Sequence, residues 1–384
     1  MLRDDDQAIK EVTVFSWWDP RSINTWSNVT YYLIRTLETK GIKVNTVTLS
    51  KHHRALLGAG AKVTNVMLSK LYQADIHFSY ANSQLSNKMI DLKISHAVKK
   101  YHASDVFIMI GFDYNVKKHT DQKVLMFSDW TVAYAIDKFD KRRPIFAEKG
   151  VIKRHNQALK EADFAVTLFS DVKDFYLKKE DQINLHYLGN VINSSIVSKP
   201  ESEAMIHQKI KSNHILFIGR ERYKAGLYAL MDAIKTMSKS RALTLDVIGM
   251  NQISQHLNIP INFHGYLDKS DDEQKSLYYS LLKNAKIIIN TTPDWAGFSS
   301  MLECMYHATP VIVTKYQSFV GTFGESLNFG YYCDNKPERI AQKIDQIFSL
   351  GDEAYGKMAL SAYEATLDFT WDSYVDKMLA LITK

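Results

Sequence analysis

Two stretches of the sequence carry residue types that could do chemistry. In HILFIGRERYKAGLYALMDAI (His214 to Ile234), a strand-like run ends at Gly219, and Arg220 and Lys224 follow before Gly226 and an apolar-periodic helix. Two fixed cations just beyond a strand end are what an anionic group needs, above all a diphosphate. The same residues also read as ordinary loop cations. In TTPDWAGFSSMLECMYHATPVIVT (Thr291 to Thr314), a strand end, a glycine turn, a short helix and another strand follow one another. Phe298, Met301, Leu302 and Met305 recur at i, i+3, i+4 and i+7, which predicts one buried face of a helix beginning near Ser299. Gly297, Phe298, Ser299 and Ser300 would present backbone N–H groups at its start, a ready anion site. Glu303 falls off the apolar face, within the first turn or so. There it could accept hydrogen bonds from sugar hydroxyls, or serve as a helix-dipole carboxylate worth a few tenths to about 1 kcal/mol.

The surrounding elements must hold these groups. EVTVFSWW (Glu11 to Trp18) reads as a strand; a loop, DPRSINTW, leads to Ser27 as a helix cap, and Val29, Tyr32, Leu33 and Leu37 then recur at helical spacing until Gly41. IKVNTVTL, DVFIMIGF, KVLMFSDW and ADFAVTLFS continue the strands, the last preceded by the helical stretch VIKRHNQALKEA. A polar segment without strong periodicity, Ser194 to His214, places a linker near its start. A second set follows: HILFIGR, ALTLDVIGM, INFHGYL, AKIIINTTP, TPVIVTK and NFGYYCD read as strands, with a helix opened by a capping box from Ser270 to Glu273. Such alternation predicts two doubly wound α/β domains, whose ligands bind outside the carboxyl ends of the strands.

The bulk properties agree. A chain of 384 residues with 46% hydrophobic and 23% charged residues can bury two cores of ordinary size. No signal peptide or membrane span is visible, so a cytoplasmic location is expected. Cys304 and Cys333 read as reduced core residues rather than a disulfide or metal pair. Residues 1–200 hold 29 Lys and Arg against 21 Asp and Glu, whereas residues 201–384 hold 19 against 21, so the basic excess lies in the first half. Clusters at 117–118, 141–143 and 153–154 could attract an anionic membrane surface or an anionic acceptor, or form a solvated basic face. LGAGAKV (Leu57 to Val63) lacks the third glycine and the preceding strand of a dinucleotide site, and adjacent His52 and His53 lack zinc spacing. Neither a metal site nor a nucleic-acid partner is expected.

The order of strand, Gly-Arg, Lys, Gly and helix, followed by HGYLDKSDDEQKSLYYSLLKNAKIIINTTPDWAGFSSMLECMYHATPVIVT, resembles the donor-binding domain of GT-B glycosyltransferases of the retaining family 4 type, from about His214 to Ile347. The resemblance implies two Rossmann-like domains facing a central cleft: an acceptor-binding domain over 1–195, a donor-binding domain over 196–364, and a terminal helix, about 365–384, crossing back to the first. It implies that Arg220 and Lys224 bind a donor diphosphate, with Gly219 at the strand end, that amides from Gly297 to Ser300 meet the same phosphates, and that Glu303 contacts the nucleotide ribose. In the family a first glutamate stands eight residues earlier. Here that position is Trp295, and Asp294 is one residue too early. Either the turn holds an extra residue and Asp294 reaches the hexose hydroxyls, which is the expectation, or sugar recognition has been rebuilt or lost. DPRSINTWSNVTYYLIRTL and VLMFSDWTVAYAI resemble a subgroup in which Trp26, Ser27, Asp129 and Trp130 face the cleft on the acceptor side; the bland reading is a cap and packing.

The implied activity is metal-independent, retaining transfer of a hexose from a UDP- or GDP-sugar to the hydroxyl of a glycan or lipid-linked acceptor. The implied setting is bacterial cell-surface polysaccharide or glycolipid synthesis at the cytoplasmic membrane face. Alternatives are a nucleotide-sugar epimerase or phosphorylase of the same fold, and a non-catalytic binding subunit.

Overall fold

The near-continuous apolar runs VFIMI and III suit strands covered on both faces, as parallel sheets require, and the computed structural model forms two such sheets. It describes residues 8–50, 67, 70, 84–179, 183–194, 202–237, 242–251, 260–295 and 297–384. The glycine-containing run 57–63 and His52 and His53 lie outside the described residues. The chain divides into one unit of residues 1–188 with 374–384 and another of residues 189–373.

The first unit contains β1 (Glu11–Ser16), α1 (Val29–Thr39), β2 (Lys43–Thr48), α2 (Gln84–Lys100), β3 (Val106–Ile110), β4 (Lys123–Ser128), α3 (Val132–Ala135), α4 (Phe146–Glu161), β5 (Phe164–Thr167), α5 (Ser170–Lys179) and β6 (Leu185–Tyr187). Its described strands pair in parallel in the order β2-β1-β3-β4-β5-β6.

The second unit contains α6 (Ser202–Ile210), β7 (His214–Ile218), α7 (Lys224–Met237), β8 (Thr244–Ile248), β9 (Ile261–Gly265), α8 (Asp272–Asn284), β10 (Ile287–Asn290), α9 (Phe298–Tyr306), β11 (Val311–Val313), α10 (Gln317–Phe323), β12 (Gly330–Tyr332), α11 (Pro337–Phe348) and α12 (Asp352–Glu364). Its parallel order is β9-β8-β7-β10-β11-β12. The chain steps outward from β7 to β9, then crosses to β10 and steps outward the other way. The loops leaving β7 and β10 therefore diverge, and the crevice at their carboxyl ends is the topological switch point where ligands of such sheets bind. The last helix, α13 (Trp371–Thr383), contributes its residues from 374 onward to the first unit. There the Tyr374 ring lies 5.7 Å from Phe127, and Lys40 pairs with Asp376 at 2.7 Å.

Several local expectations change. The helix read as opening with a capping box from Ser270 is capped by Asp271, whose carboxylate accepts from the Gln274 N–H at 2.9 Å, while Ser270 bonds to Asp268. Asp271 already supplies the N-cap oxygen, so Ser270 is one residue too early. Ser27 is likewise not the cap of α1; Asn28 is, with a left-handed backbone at φ 72°. Residues 202–210, within the polar segment read as aperiodic, form α6. Among the described residues no helix is long and apolar enough to cross a membrane.

Close packing at the switch point depends on glycine. A Cβ on Gly226, near the start of α7, would stand 2.4 Å from Thr292 Oγ1. One on Gly249, after β8, would stand 2.6 Å from the Gly219 carbonyl oxygen. Side chains there would force apart the loops that follow β7, β8 and β10.

Away from this crevice, Lys209 of α6 is fully buried, and its Nζ donates to Leu282 O at 2.8 Å, Ala285 O at 2.9 Å and Thr309 Oγ1 at 2.8 Å. Three donors meet three acceptors, tying α6 to the end of α8 and to the approach to β11. Lys209→Met should lower stability by about 2–4 kcal/mol, because the acceptors would stay buried without a donor. Urea unfolding checks this; a loss below about 1 kcal/mol would show that the acceptors find other partners.

Candidate functional site

The loops that leave β7 and β10 are tied together by Tyr223. Its carbonyl accepts from Thr292 Oγ1 at 3.2 Å, and its hydroxyl accepts from Trp295 Nε1 at 2.6 Å. Burial raises the Tyr223 phenol pKa. On one side of this tie are the cations. Arg220 is exposed and its guanidinium lies 5.3 Å from the centre of the Tyr266 ring. Lys224 is the first residue of α7, exposed, with Nζ 2.9 Å from the Glu221 carboxylate, whose hydrogen bond raises the lysine pKa. An anion arriving there would compete with Glu221, an exposed partner held loosely by solvent screening.

On the other side is the start of α9, whose N-cap is Gly297 at φ 69°, left-handed and without a capping side chain. A helix start of this kind directs backbone N–H groups and a partial positive charge outward. A Cβ on Gly297 would sit 3.1 Å from Ser300 Oγ and 3.9 Å from the Tyr223 ring, so the turn rests against the tie. Ser300 Oγ donates to Gly297 O at 2.7 Å, and Ser299 Oγ to Asn190 Oδ1 at 3.3 Å. Phe298 is fully buried against Phe319 and Phe323, so its side chain packs the core and only its backbone can serve an anion.

The turn before it answers where the acid pattern departs. Trp295, at the family's acid position, directs its indole to Tyr223 and packs against Tyr316 at 5.6 Å between ring centres. Asp294 stands beside it, exposed, with φ 65°. A non-glycine residue in that region is costly except for Asp and Asn, which tolerate it best.

Glu303 is not on a solvent face. It is the sixth residue of α9, in the second turn, and only 5% exposed. Its Oε2 accepts from Lys269 Nζ at 2.7 Å and from the Tyr278 hydroxyl at 2.8 Å. Lys269, itself mostly buried, also donates to Asn193 O at 3.0 Å and lies 4.2 Å from the centre of the Tyr278 ring. Burial and the Glu303 charge hold the Tyr278 phenol well above its usual range, and the same two causes push the Cys304 thiol up, leaving it an inert core group. Both bonds end on Oε2, so Oε1 keeps its accepting capacity. Lys269 and Tyr278 escape sequence reading: they lie 34 and 25 residues from Glu303, and neither the loop position of one nor the helical spacing of the other marks it. Gly249 was legible, because VIGM repeats the strand-end glycine of FIGR.

In the first unit, Trp26, Ser27 and Asn28 adopt successive left-handed conformations, φ 45°, 53° and 72°, so non-glycine residues hold a turn that glycines usually make. Trp26 Nε1 donates to Asp129 Oδ2 at 3.3 Å, and Asp129 Oδ1 accepts from Trp130 N at 2.8 Å. Burial raises the Asp129 pKa. Trp26, Ser27 and Asp129 thus gather where β1 and β4 end. The Trp130 ring turns instead into a packing cluster, 5.1 Å from Phe139 and 5.6 Å from Phe169.

Residues 199–364 match the family described as Glycosyl transferases group 1. The second unit carries a group 1 glycosyltransferase domain. No curated protein matches the sequence. Over the whole chain, the fold is shared with sucrose-phosphate synthase of Thermosynechococcus elongatus at TM-score 0.65 and 14% identity, covering 96% of this chain and 97% of that one. It is also shared with Anabaena HepE, solved with UDP and glucose, at TM-score 0.60 and 11% identity over 97% and 99%. A protein of Listeria monocytogenes assigned as a UDP-N-acetylglucosamine 2-epimerase gives TM-score 0.56 and 12% identity over 98% and 96%. The chain has the GT-B fold of two Rossmann-like units. In the glycosyltransferase domain, Arg220 and Lys224 follow β7 and the α9 start follows β10, on loops that Tyr223 ties together, and Glu303 lies one turn further along α9.

Lys269→Met should cost about 3–5 kcal/mol by leaving the Glu303 carboxylate buried without its cation, and Lys269→Met/Glu303→Leu should recover most of that loss. A double variant whose loss equals the sum of the singles would contradict the pairing.

Proposed function

We propose that the protein is a retaining hexosyltransferase that takes a sugar from a nucleotide-diphosphate donor, UDP- or GDP-linked, to the hydroxyl of a glycan or lipid-linked acceptor. The observation that carries this reading is the meeting of two exposed cations and an uncapped helix start at the β7/β10 switch point, beside a carboxylate fixed by Lys269. The bond from the anomeric carbon to the diphosphate oxygen breaks as the acceptor oxygen bonds the same carbon on the same face. Charge accumulates on the leaving diphosphate, where Arg220, Lys224 and the amides from Gly297 to Ser300 stabilise it without a metal ion. A phosphate oxygen of the donor takes the acceptor proton. Glu303, through Oε1, accepts from the ribose hydroxyls, and Asp294 from the hexose. Gly219 gives the strand end close approach to the phosphates. Trp26, Ser27 and Asp129 bind on the acceptor side. The HepE ligand supports a UDP-type donor.

The setting that suits the basic first half is the cytoplasmic face of a membrane, where a cell-surface polysaccharide or glycolipid is built. A second reading, a GT-B binding subunit without catalysis, draws on Trp295 standing where the family places an acid.

A thermal-shift panel of UDP, GDP, ADP and their sugars tests the site: a ligand that binds only the native state raises Tm. No shift with any of them sinks both readings; a shift without transfer leaves the binding subunit, and an isomerised donor in the absence of acceptor leaves the epimerase. Arg220→Ala should cut turnover about 10²- to 10³-fold with Tm nearly unchanged, since one preorganised donor contributes about 2.7–4 kcal/mol to such a transition state. Full transfer rates in that variant would remove Arg220 from the mechanism.

A further inference from the structure

The start of α4 carries the most exposed large apolar side chain among the described residues: Phe146, the first residue of the helix, is 85% exposed. The exposed positions continue as Lys149, Gly150, Lys153 and Gln157, one helical face of which two members are lysines. Exposed Lys141 and Arg143 lie in the connection leading into the helix.

The acids nearest in sequence both pair with Arg142, Asp140 at 3.1 Å and the two oxygens of Glu148 at 2.7 and 2.8 Å, while Glu161, at the far end of α4, accepts from Asn115 and Gln157. Glu148 further accepts from Ile145 N at 2.9 Å, which closes the helix start. Arg143, Lys149 and Lys153 form no ion pair among the described residues. The result is an exposed ring with Arg143, Lys149 and Lys153 within seven residues of it in sequence.

Its place in the fold matters as much as its charge. α4 leads into the amino end of β5, so it runs against the strands and begins at the carboxyl edge of the sheet, the edge of Trp26 and Asp129. Its 16 residues span about 24 Å at 1.5 Å each, whereas the four of β5 span about 13 Å. The helix is thus longer than the strand it leads into.

We infer that this face docks on an anionic membrane, with the Phe146 ring entering the boundary between headgroups and acyl chains and Arg143, Lys149 and Lys153 meeting anionic headgroups. An exposed aromatic ring with these cations close to it in sequence suits that interface, where apolar insertion and headgroup charge act together. The inference deepens the membrane-face part of the proposed function, and it would bring the acceptor-side edge of the first unit to the lipid surface.

The test is co-sedimentation of the full chain with vesicles of phosphatidylcholine containing 30% phosphatidylglycerol, and with pure phosphatidylcholine, at about 50 and 500 mM salt. Wild type should sediment with the anionic vesicles at low salt only. Each cation near an anionic surface strengthens binding about fivefold, so R143Q/K149Q/K153Q should weaken it about 100-fold, and R143E/K149E/K153E, which reverses the three charges, should weaken it further. F146S should weaken it several-fold at unchanged charge. Wild type that stays in solution, or a neutralised variant that sediments like wild type, overturns the inference; wild type that ignores vesicles yet binds a soluble acidic polypeptide assigns the face to a protein instead. Nucleotide-induced Tm shifts of the same variants should match wild type, so a failure of vesicle binding is separable from a failure of the donor-site reading.

Discussion

The glycosyltransferase domain is organised around a nearly buried carboxylate, that of Glu303, which is 5% exposed. Glu303 sits inside a helix whose neighbours Met301, Leu302, Cys304 and Met305 are all fully buried. An ionised group there is tolerated only with a charge partner and hydrogen bonds in place. Lys269 supplies the charge, Tyr278 a second donor, and Asn193 O accepts a further hydrogen bond from the lysine. The pair thereby joins α9 to the β9–α8 loop, to α8 and to the segment at 190–194, which also reaches Ser299 through Asn190. Removing either charge would disturb packing and the candidate site together. The arrangement fixes one carboxylate oxygen and leaves the other to act.

Topology explains why the remaining groups collect beside it. In a sheet ordered β9-β8-β7-β10-β11-β12, only β7 and β10 have neighbouring carboxyl ends whose loops part in opposite directions. Gly226 and Gly249 let those loops approach, and the Tyr223–Trp295 bond holds them. Cations thus follow one of these strands and an uncapped helix start follows the other, on loops that are tied together. Through its indole Trp295 belongs to this scaffold, and the adjacent Asp294 is exposed in the turn.

Much of this was legible in the residues. Apolar runs and strand-end glycines gave the two parallel sheets, and the spacing of Phe298, Met301, Leu302 and Met305 marked the buried face of α9. The same spacing misled about Glu303. A helix packed nearly all round has no polar face, and periodicity alone does not distinguish a solvent-facing charge from a buried one whose partner comes from a distant loop. Ser27 and Ser270 misled differently: each has the composition of a cap, but the neighbouring Asn28 and Asp271 take the cap position. Lys269 looked like one more polar loop residue, because nothing local records an ion pair formed across 34 positions.

The central claim is that Glu303 Oε1 is held ready for a ribose hydroxyl. Calorimetric titration of the wild-type chain with UDP or GDP, whichever binds, and with its 2′,3′-dideoxy counterpart tests it most directly. A lost hydrogen bond to a charged acceptor is worth about 1.5–3 kcal/mol, so the ribose form should bind about ten- to a hundredfold more tightly. Equal affinities for the two nucleotides would contradict the account.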